Sequence, residues 1–166
     1  MPSYDPQLIA IWRLYARLHQ RLSGYSYAQA REAHRTGMPI VRPLFLADPE
    51  GSEAWTNWQT YVYGPDLLVS PIWEKEKREQ DVYLPNGERW RDAWNPEKLY
   101  RGGQTITVRA DLHQIPLFIR VGAKIKLGDL NQEYQESQTI AQRRPDLKTL
   151  DAEVKTWFEK FTRESR

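Results

Sequence analysis

The stretch Asn86-Gly87-Glu88-Arg89-Trp90-Arg91-Asp92-Ala93-Trp94-Asn95 admits two readings, and the choice between them decides the fold. In one, Asp92 is a carboxylate that cleaves a glycosidic bond, with Trp90 and Trp94 stacking on a pyranose and Arg89 and Arg91 tuning the acid. In the other, the stretch is a β-strand entered from a turn. Asn-Gly is a hairpin signal because both residues tolerate positive φ. Trp90 and Trp94 lie at even spacing, which puts them on one face of a strand, packed between sheets.

The flanking sequence favours the strand. Short runs at 67–72, 81–84, 89–94, 105–109 and 116–127, the last broken at Gly122, alternate with turns such as Asn86-Gly87 and Gly102-Gly103. Thr105-Ile106-Thr107-Val108 alternates as a half-buried strand does. This spacing predicts an antiparallel sandwich. Residues 74–80 read as a charged, solvated loop.

Upstream of Gly64-Pro65-Asp66 the pattern is different. Asp5 is a helix N-cap and Pro6 fits the first helical position, where a missing N–H costs nothing. Leu8, Ile11, Tyr15, Leu18, Leu22 and Tyr25 follow at helical spacing. Gly24 leaves open two helices or one bent helix, ending before Thr36-Gly37. The apolar run 40–46 has little alternation and reads as a buried parallel strand, with Pro43 at its end or at a bulge. Residues 47–52 form a turn and 53–63 a short aromatic helix. After Asp129 the chain turns helical again. Tyr134, Ile140 and Ala141 suit one helix, Pro145 breaks it, and Leu147, Leu150, Val154, Trp157, Phe158 and Phe161 form the apolar face of another. The expected fold class is α+β: N-terminal helices with one strand, a small antiparallel β-sandwich, and C-terminal helices. The divisions are 1–64, 65–128 and 129–166.

Composition excludes several classes. The 166 residues suffice for one ordinary domain with a real core, and 40% are hydrophobic against 28% charged. Lys+Arg 24 against Asp+Glu 22 gives a net charge of +2, with no concentrated basic face for nucleic acid. There is no cysteine, hence no disulfide, thiolate catalysis or cysteine zinc site. No apolar run approaches the ~20 residues of a membrane span, and the N-terminus lacks a signal-peptide pattern. The expected location is cytoplasmic.

Five short segments, in order, resemble glycoside hydrolase family 31. Thr36-Gly37-Met38-Pro39-Ile40-Val41-Arg42-Pro43-Leu44 is similar to its G-x-P-x-x-R-P-L signature, and Tyr63-Gly64-Pro65-Asp66-Leu67-Leu68-Val69-Ser70-Pro71 to its G-x-x-L-L-V-A-P segment, with serine for alanine. Val82-Tyr83-Leu84-Pro85-Asn86-Gly87 with Trp90 and Asp92 matches Y-L-P-x-G-x-W-x-D. Tyr100-Arg101-Gly102-Gly103 and Ile115-Pro116-Leu117-Phe118-Ile119-Arg120-Val121-Gly122 continue the order. The resemblance covers roughly residues 10 to 127 and implies the C-terminal part of a retaining α-glycosidase of the α-glucosidase or α-xylosidase type. Residues 1–64 would then be the remnant of the end of a (β/α)8 barrel, with 40–46 as its eighth strand, and 65–128 the proximal sandwich. Nothing is carried over to the tail.

A retaining glycosidase needs two carboxyl groups ~5–5.5 Å apart, one ionised and one protonated. The family's nucleophile motif is W-x-D-x-N-E on an earlier barrel strand. Trp90-Arg91-Asp92-Ala93-Trp94-Asn95 imitates its first half, but Pro96 stands where glutamate is required. No catalytic residue is therefore assigned. Asp48 and Glu50, with Glu53, follow the presumed barrel strand on the face where barrel active sites lie and are weak substrate-binding candidates; a loop of turn formers and helix-starting acids is the favoured explanation of all three. His19, His34 and His113 lack metal-ligand spacing, and no metal or cofactor is implied. Arg42 reads as a buried guanidinium satisfying carbonyls or a carboxylate. The expected partners are the remainder of the glycosidase chain and, through it, a carbohydrate, with no nucleic acid, no membrane and a possible homo-oligomer. The chain alone is expected to be inactive. Two alternatives stay open: a stand-alone carbohydrate-binding module using Trp55, Trp58, Trp90 or Trp94, and a non-enzymatic interaction protein.

Overall fold

The computed structural model describes residues 5–143 and, beyond them, Ala152 and Thr156, both helical. It opens with one long helix, α1 (Pro6–Thr36). Asp5 Oδ1 accepts from the backbone N–H of Gln7 (2.9 Å) and Leu8 (3.3 Å), two of the donors a helix start leaves free. Gly37, at φ +78°, ends the helix by donating its N–H to Ala33 O. Gly24 does not divide it, because that position meets open space and glycine only weakens the helix locally. Ala10, Leu14 and Leu18 form the buried stripe of α1.

After α1 come β1 (Val41–Pro43), the short helices α2 (Leu44–Ala47) and α3 (Ser52–Thr56), then β2 (Tyr61–Tyr63) and β3 (Leu67–Val69). Next are β4 (Glu79–Leu84), β5 (Arg89–Asp92), β6 (Leu99–Arg101), β7 (Gln104–Arg109) and β8 (Leu117–Arg120), and α4 (Leu130–Gln142) closes the described part. A six-stranded sheet has the order β1-β2-β3-β8-β5-β6, and β4 pairs with β7 in a two-stranded ribbon; every pairing is antiparallel. The α+β class and the antiparallel sheets match the sequence expectation.

Period-two alternation gives the large sheet two apolar faces. Leu67, Val69 and Leu117 meet α1 and α4 in one cluster, flanked by Tyr61, Tyr63 and Ile119. Val62, Leu68, Trp90 and Phe118 meet Val82, Tyr83 and Leu84 of the ribbon in the other. The layers are therefore a helix pair, the sheet and the ribbon.

Three expectations are corrected. The run 40–46 is not a buried parallel strand: only Val41–Pro43 is extended, it pairs antiparallel with β2, and Val41 is 52% exposed. Pro43 has no N–H for the ladder, and the next four residues coil into α2, leaving Leu44 as the buried apolar anchor. The aromatic segment 53–63 is helical only to Thr56; Tyr61–Tyr63 is a strand whose tyrosines alternate about the buried Val62. Gln80 belongs to β4 rather than to a solvated loop, and it is buried with the parity of Val82 and Leu84. The expected last helix, with Leu147, Leu150, Val154, Trp157, Phe158 and Phe161, lies outside the described residues.

Candidate functional site

The acidic loop after α2 packs against the ribbon. Asp48 is 5% exposed, and its Oδ2 accepts from Tyr83 Oη (2.7 Å) and from Asn86 N (2.8 Å). Burial pushes the Tyr83 phenol up to about 12, helped by its hydrogen bond to Asp48 and by the charges of Asp48 and Glu53. Gly51 crosses this pair so closely that a Cβ would lie 2.6 Å from both Asp48 Oδ2 and Tyr83 Oη. Asp48 thus ties the loop to β4 and to the turn that follows it. Glu50 is exposed, and Glu53, on α3, faces an open groove.

That groove has a volume of about 650 Å³ and lies between α3 with the following residues and the β4–β7 ribbon. Asn57, Trp58 and Gln59 form one side, and Gln80, Asp81 and Thr107 the other. Trp58 is 77% exposed and meets the 60% exposed Trp73 at a ring-centroid distance of 5.7 Å. Trp55 is also exposed but stacks on Phe45 and donates its N–H to Pro49 O. Among the described residues no group of three His, Asp or Glu side chains is placed to hold a metal.

The structure separates the residues of the stretch 86–95. Trp90 is buried between sheet and ribbon and donates its indole N–H to Pro85 O. Trp94 lies on the opposite, helical side, donates to Ile115 O and meets the edge of His113. The expected shared face fails because the strand ends at Asp92. Its Oδ1 accepts from Trp94 N (2.8 Å) and Asn95 N (3.2 Å), which turns the chain before Trp94. Asp92 is thus a strand end with its carboxylate spent on backbone.

Arg42 is only half-buried; its Nε donates to Pro39 O and a terminal nitrogen to Gln29. His19 and His34 are exposed on α1. His113 stacks flat on Tyr134, and burial pulls its pKa down against the smaller opposing charge of Asp111.

Several anchors were missed from sequence. Tyr25 of α1 donates to Tyr63 O and accepts from Asp66 N, holding the helix to the Gly64 turn. Arg120 binds Asp66 Oδ1 through Nε (2.9 Å) and a terminal nitrogen (2.5 Å). Glu133 of α4 bonds Arg17 and Arg21 of α1. The i, i+4 spacing of those arginines was the available signal, since it puts both on one helix face. For Gln80 the signal was a polar residue at an inward position of an alternating strand.

The family model for the C-terminal domain of glycosyl hydrolase family 31 matches residues 37–125, just over half of the chain. Alpha-glucosidase 2 of Bacillus thermoamyloliquefaciens is 34% identical over 122 residues, 74% of this chain and 15% of that protein. The alpha-xylosidase of Saccharolobus solfataricus is 37% identical over 113 residues, 68% of this chain and again 15% of the relative. The crystal structure of a family 31 alpha-xylosidase from a soil metagenome, complexed with xylose, superimposes with a TM-score of 0.62 at 37% identity, covering 71% of this chain and 17% of that one. The chain therefore spans about a sixth of the length of the relatives it matches.

Proposed function

The chain belongs to glycosyl hydrolase family 31, and from that premise we propose that it acts as the C-terminal portion of a retaining α-glycosidase, closing and buttressing a catalytic barrel whose carboxylates it does not supply. The observation that carries the reading is the share of length: 15% of the α-glucosidase and of the α-xylosidase corresponds to this chain. A barrel alone takes ~250 residues.

Side-chain placement supports the same reading. Asp48 and Asp92, the carboxylates in the most suggestive sequence contexts, are both buried and engaged by protein donors. Leu8, Trp12 and Tyr27 of α1 and Val41 of β1 are each more than half exposed, as expected of surfaces that meet the rest of a barrel. In this reading residues 1–64 end the barrel, 65–128 form the proximal sandwich, and the tail from 129 opens with α4 (Leu130–Gln142). The large sheet joins the first two, since β1 and β2 precede Gly64 and β3 follows it. The substrate is an α-glucoside or α-xyloside, bound through the complete enzyme, and the cysteine-free composition suits a cytoplasmic setting.

The test compares the isolated 166 residues with the complete polypeptide on aryl α-glucosides and α-xylosides. The reading expects turnover from the complete polypeptide alone. Turnover by the isolated chain, lost on changing one of its own carboxylates, overturns it.

A further inference from the structure

We propose that Asn86 is a site of spontaneous deamidation, and that its isoaspartyl product loosens the loop anchored by Asp48. The inference concerns the turn after β4 and does not rest on the reading above.

Asparagine is among the thermolabile side chains. It is lost when the backbone nitrogen of the next residue attacks its carboxamide carbon. The new N–Cγ bond closes a five-membered succinimide. The attacking nitrogen gives up its proton, the bond from Cγ to Nδ2 breaks, and the departing group gains a proton and leaves as ammonia. Water then opens the ring at either carbonyl. One opening gives aspartate. The other gives isoaspartate, in which the chain runs through Cβ and a free carboxylate stands on Cα. The reaction needs an unshielded neighbouring nitrogen with a proton to lose, a carboxamide that reaches it, and a leaving group that nothing holds.

Asn86 meets all three conditions. Asn86 and Gly87 are both exposed, and a Cβ at Gly87 would meet nothing within 4 Å. With no side chain at 87, the attacking nitrogen is open to solvent. Gly87 N donates to Asn86 Oδ1 at 2.9 Å, so the carboxamide is already folded back over the nitrogen that attacks it. It lies in the space that Gly103 leaves, where a Cβ would stand 3.0 Å from Oδ1. Asn86 Nδ2 has no hydrogen-bond partner among the described residues.

The chain's other asparagines each lack a condition. Asn57 precedes the bulky Trp58, and its Oδ1 is held by Thr60 N at 3.0 Å. Asn95 precedes Pro96, whose nitrogen has no proton to lose. Asn131 lies in the first turn of α4, where its Nδ2 donates to Trp94 O and Gln132 N donates to Asp129 Oδ1.

The product strikes an anchor of the fold. Asn86 N donates to Asp48 Oδ2 at 2.8 Å, the oxygen that also takes the Tyr83 hydroxyl, and Asp48 is buried. In isoaspartate the new carboxylate sits on the carbon bonded to that nitrogen. Two carboxylates then share one site, which disfavours the charge on both. The backbone is also longer by one atom, and the turn has no room to take it up on the Gly102 side, where even a Cβ would run into Pro85 O. The loop 47–51 thereby loses its tie to β4.

The test ages the complete polypeptide, folded, at physiological temperature and at neutral and mildly alkaline pH. Peptide mass mapping over several weeks reads the gain of one dalton and the split into aspartyl and isoaspartyl isomers. Asn86 should convert at least tenfold faster than Asn57, Asn95 and Asn131. It should convert faster at the higher pH, because the nitrogen must lose its proton, and within tenfold of the rate in a free peptide of residues 82–91. Gly87→Ala, which shields the nitrogen, and Asn86→Gln, which must close a six-membered ring, should each slow conversion at least fivefold. In the isoaspartyl form, separated by ion exchange, the amides of residues 48–54 should exchange hydrogen at least tenfold faster, with the amides of α1 unchanged. A smaller margin over the other asparagines would overturn the assignment. So would conversion more than tenfold slower than in the peptide, or unchanged in both variants. Unaltered exchange at residues 48–54 in the aged form would overturn the loosening. Activity enters none of these outcomes, so failure of the barrel reading and failure of this one are separable.

Discussion

Replacing Asp92 by asparagine and by alanine separates the two readings of the stretch 86–95. Asp92 is 8% exposed, and Oδ1 alone accepts both backbone N–H groups that turn the chain after β5. The asparagine variant keeps an oxygen at that position and loses only the charge assistance, a cost under about 1 kcal/mol. The alanine variant leaves the half-buried N–H of Trp94 without its acceptor, while exposed Asn95 recovers water. One unsatisfied donor costs roughly 1–3 kcal/mol, so D92A should lose about 2 kcal/mol, roughly a thirtyfold fall in the folding equilibrium. Urea titration followed by tryptophan fluorescence measures both, alongside hydrolysis of an aryl α-glycoside by the complete polypeptide. The expected order is wild type close to D92N, then D92A, with turnover in the native state unchanged. Loss of turnover by several orders of magnitude in D92N, at unchanged stability, would make Asp92 catalytic and refute the reasoning.

Three further outcomes follow from the packing. Glu133 is pushed up by burial, but hydrogen bonds and charge from Arg17 and Arg21 outweigh this and hold its carboxyl below the ordinary range. Its stabilisation is therefore fully present above the unfolded-state value and is lost as pH falls through the lowered folded value; E133Q should cost about 1–3 kcal/mol at neutral pH and remove this part of the acid dependence of the urea midpoint. Gly64 sits at φ +58° with Tyr25 Oη where a Cβ would stand, whereas Gly87, at φ +79°, faces open space. G64A should thus cost more than about 2 kcal/mol and G87A about 1–2 kcal/mol by urea titration; equal losses would contradict the clash. W90A should cost about 3–5 kcal/mol by the same titration, because Trp90 is buried between sheet and ribbon.

What the sequence made legible was local. The Asp5-Pro6 start of α1 and its Gly37 stop are set by caps, which act within a few residues. β4, β5, β7 and β8 showed through alternation and turn residues. What failed depended on partners distant in sequence. The run 40–46 is apolar enough for a buried strand, but pairing with β2 leaves Val41 outside and lets the chain coil after Pro43. Trp94 kept an even spacing from Trp90, yet parity counts only inside a strand, and Asp92 ends this one. Tyr61–Tyr63 is too short to show a period. At the candidate site, the pattern could place Asp48 and Glu50 on a turn and Glu53 at the helix start that follows, but could not tell that Tyr83 takes Asp48 out of solvent. The Glu133 anchor joins helices 112 residues apart at Arg21, a separation no periodicity reports.

The most direct test of the central claim is the native mass of the polypeptide that carries this sequence, by immunoblot of a source lysate with an antibody raised against residues 90–103. A C-terminal portion of a complete glycosidase predicts a band several times larger than 19.6 kDa. A band at 19.6 kDa would contradict it and make the chain a protein that works without a barrel.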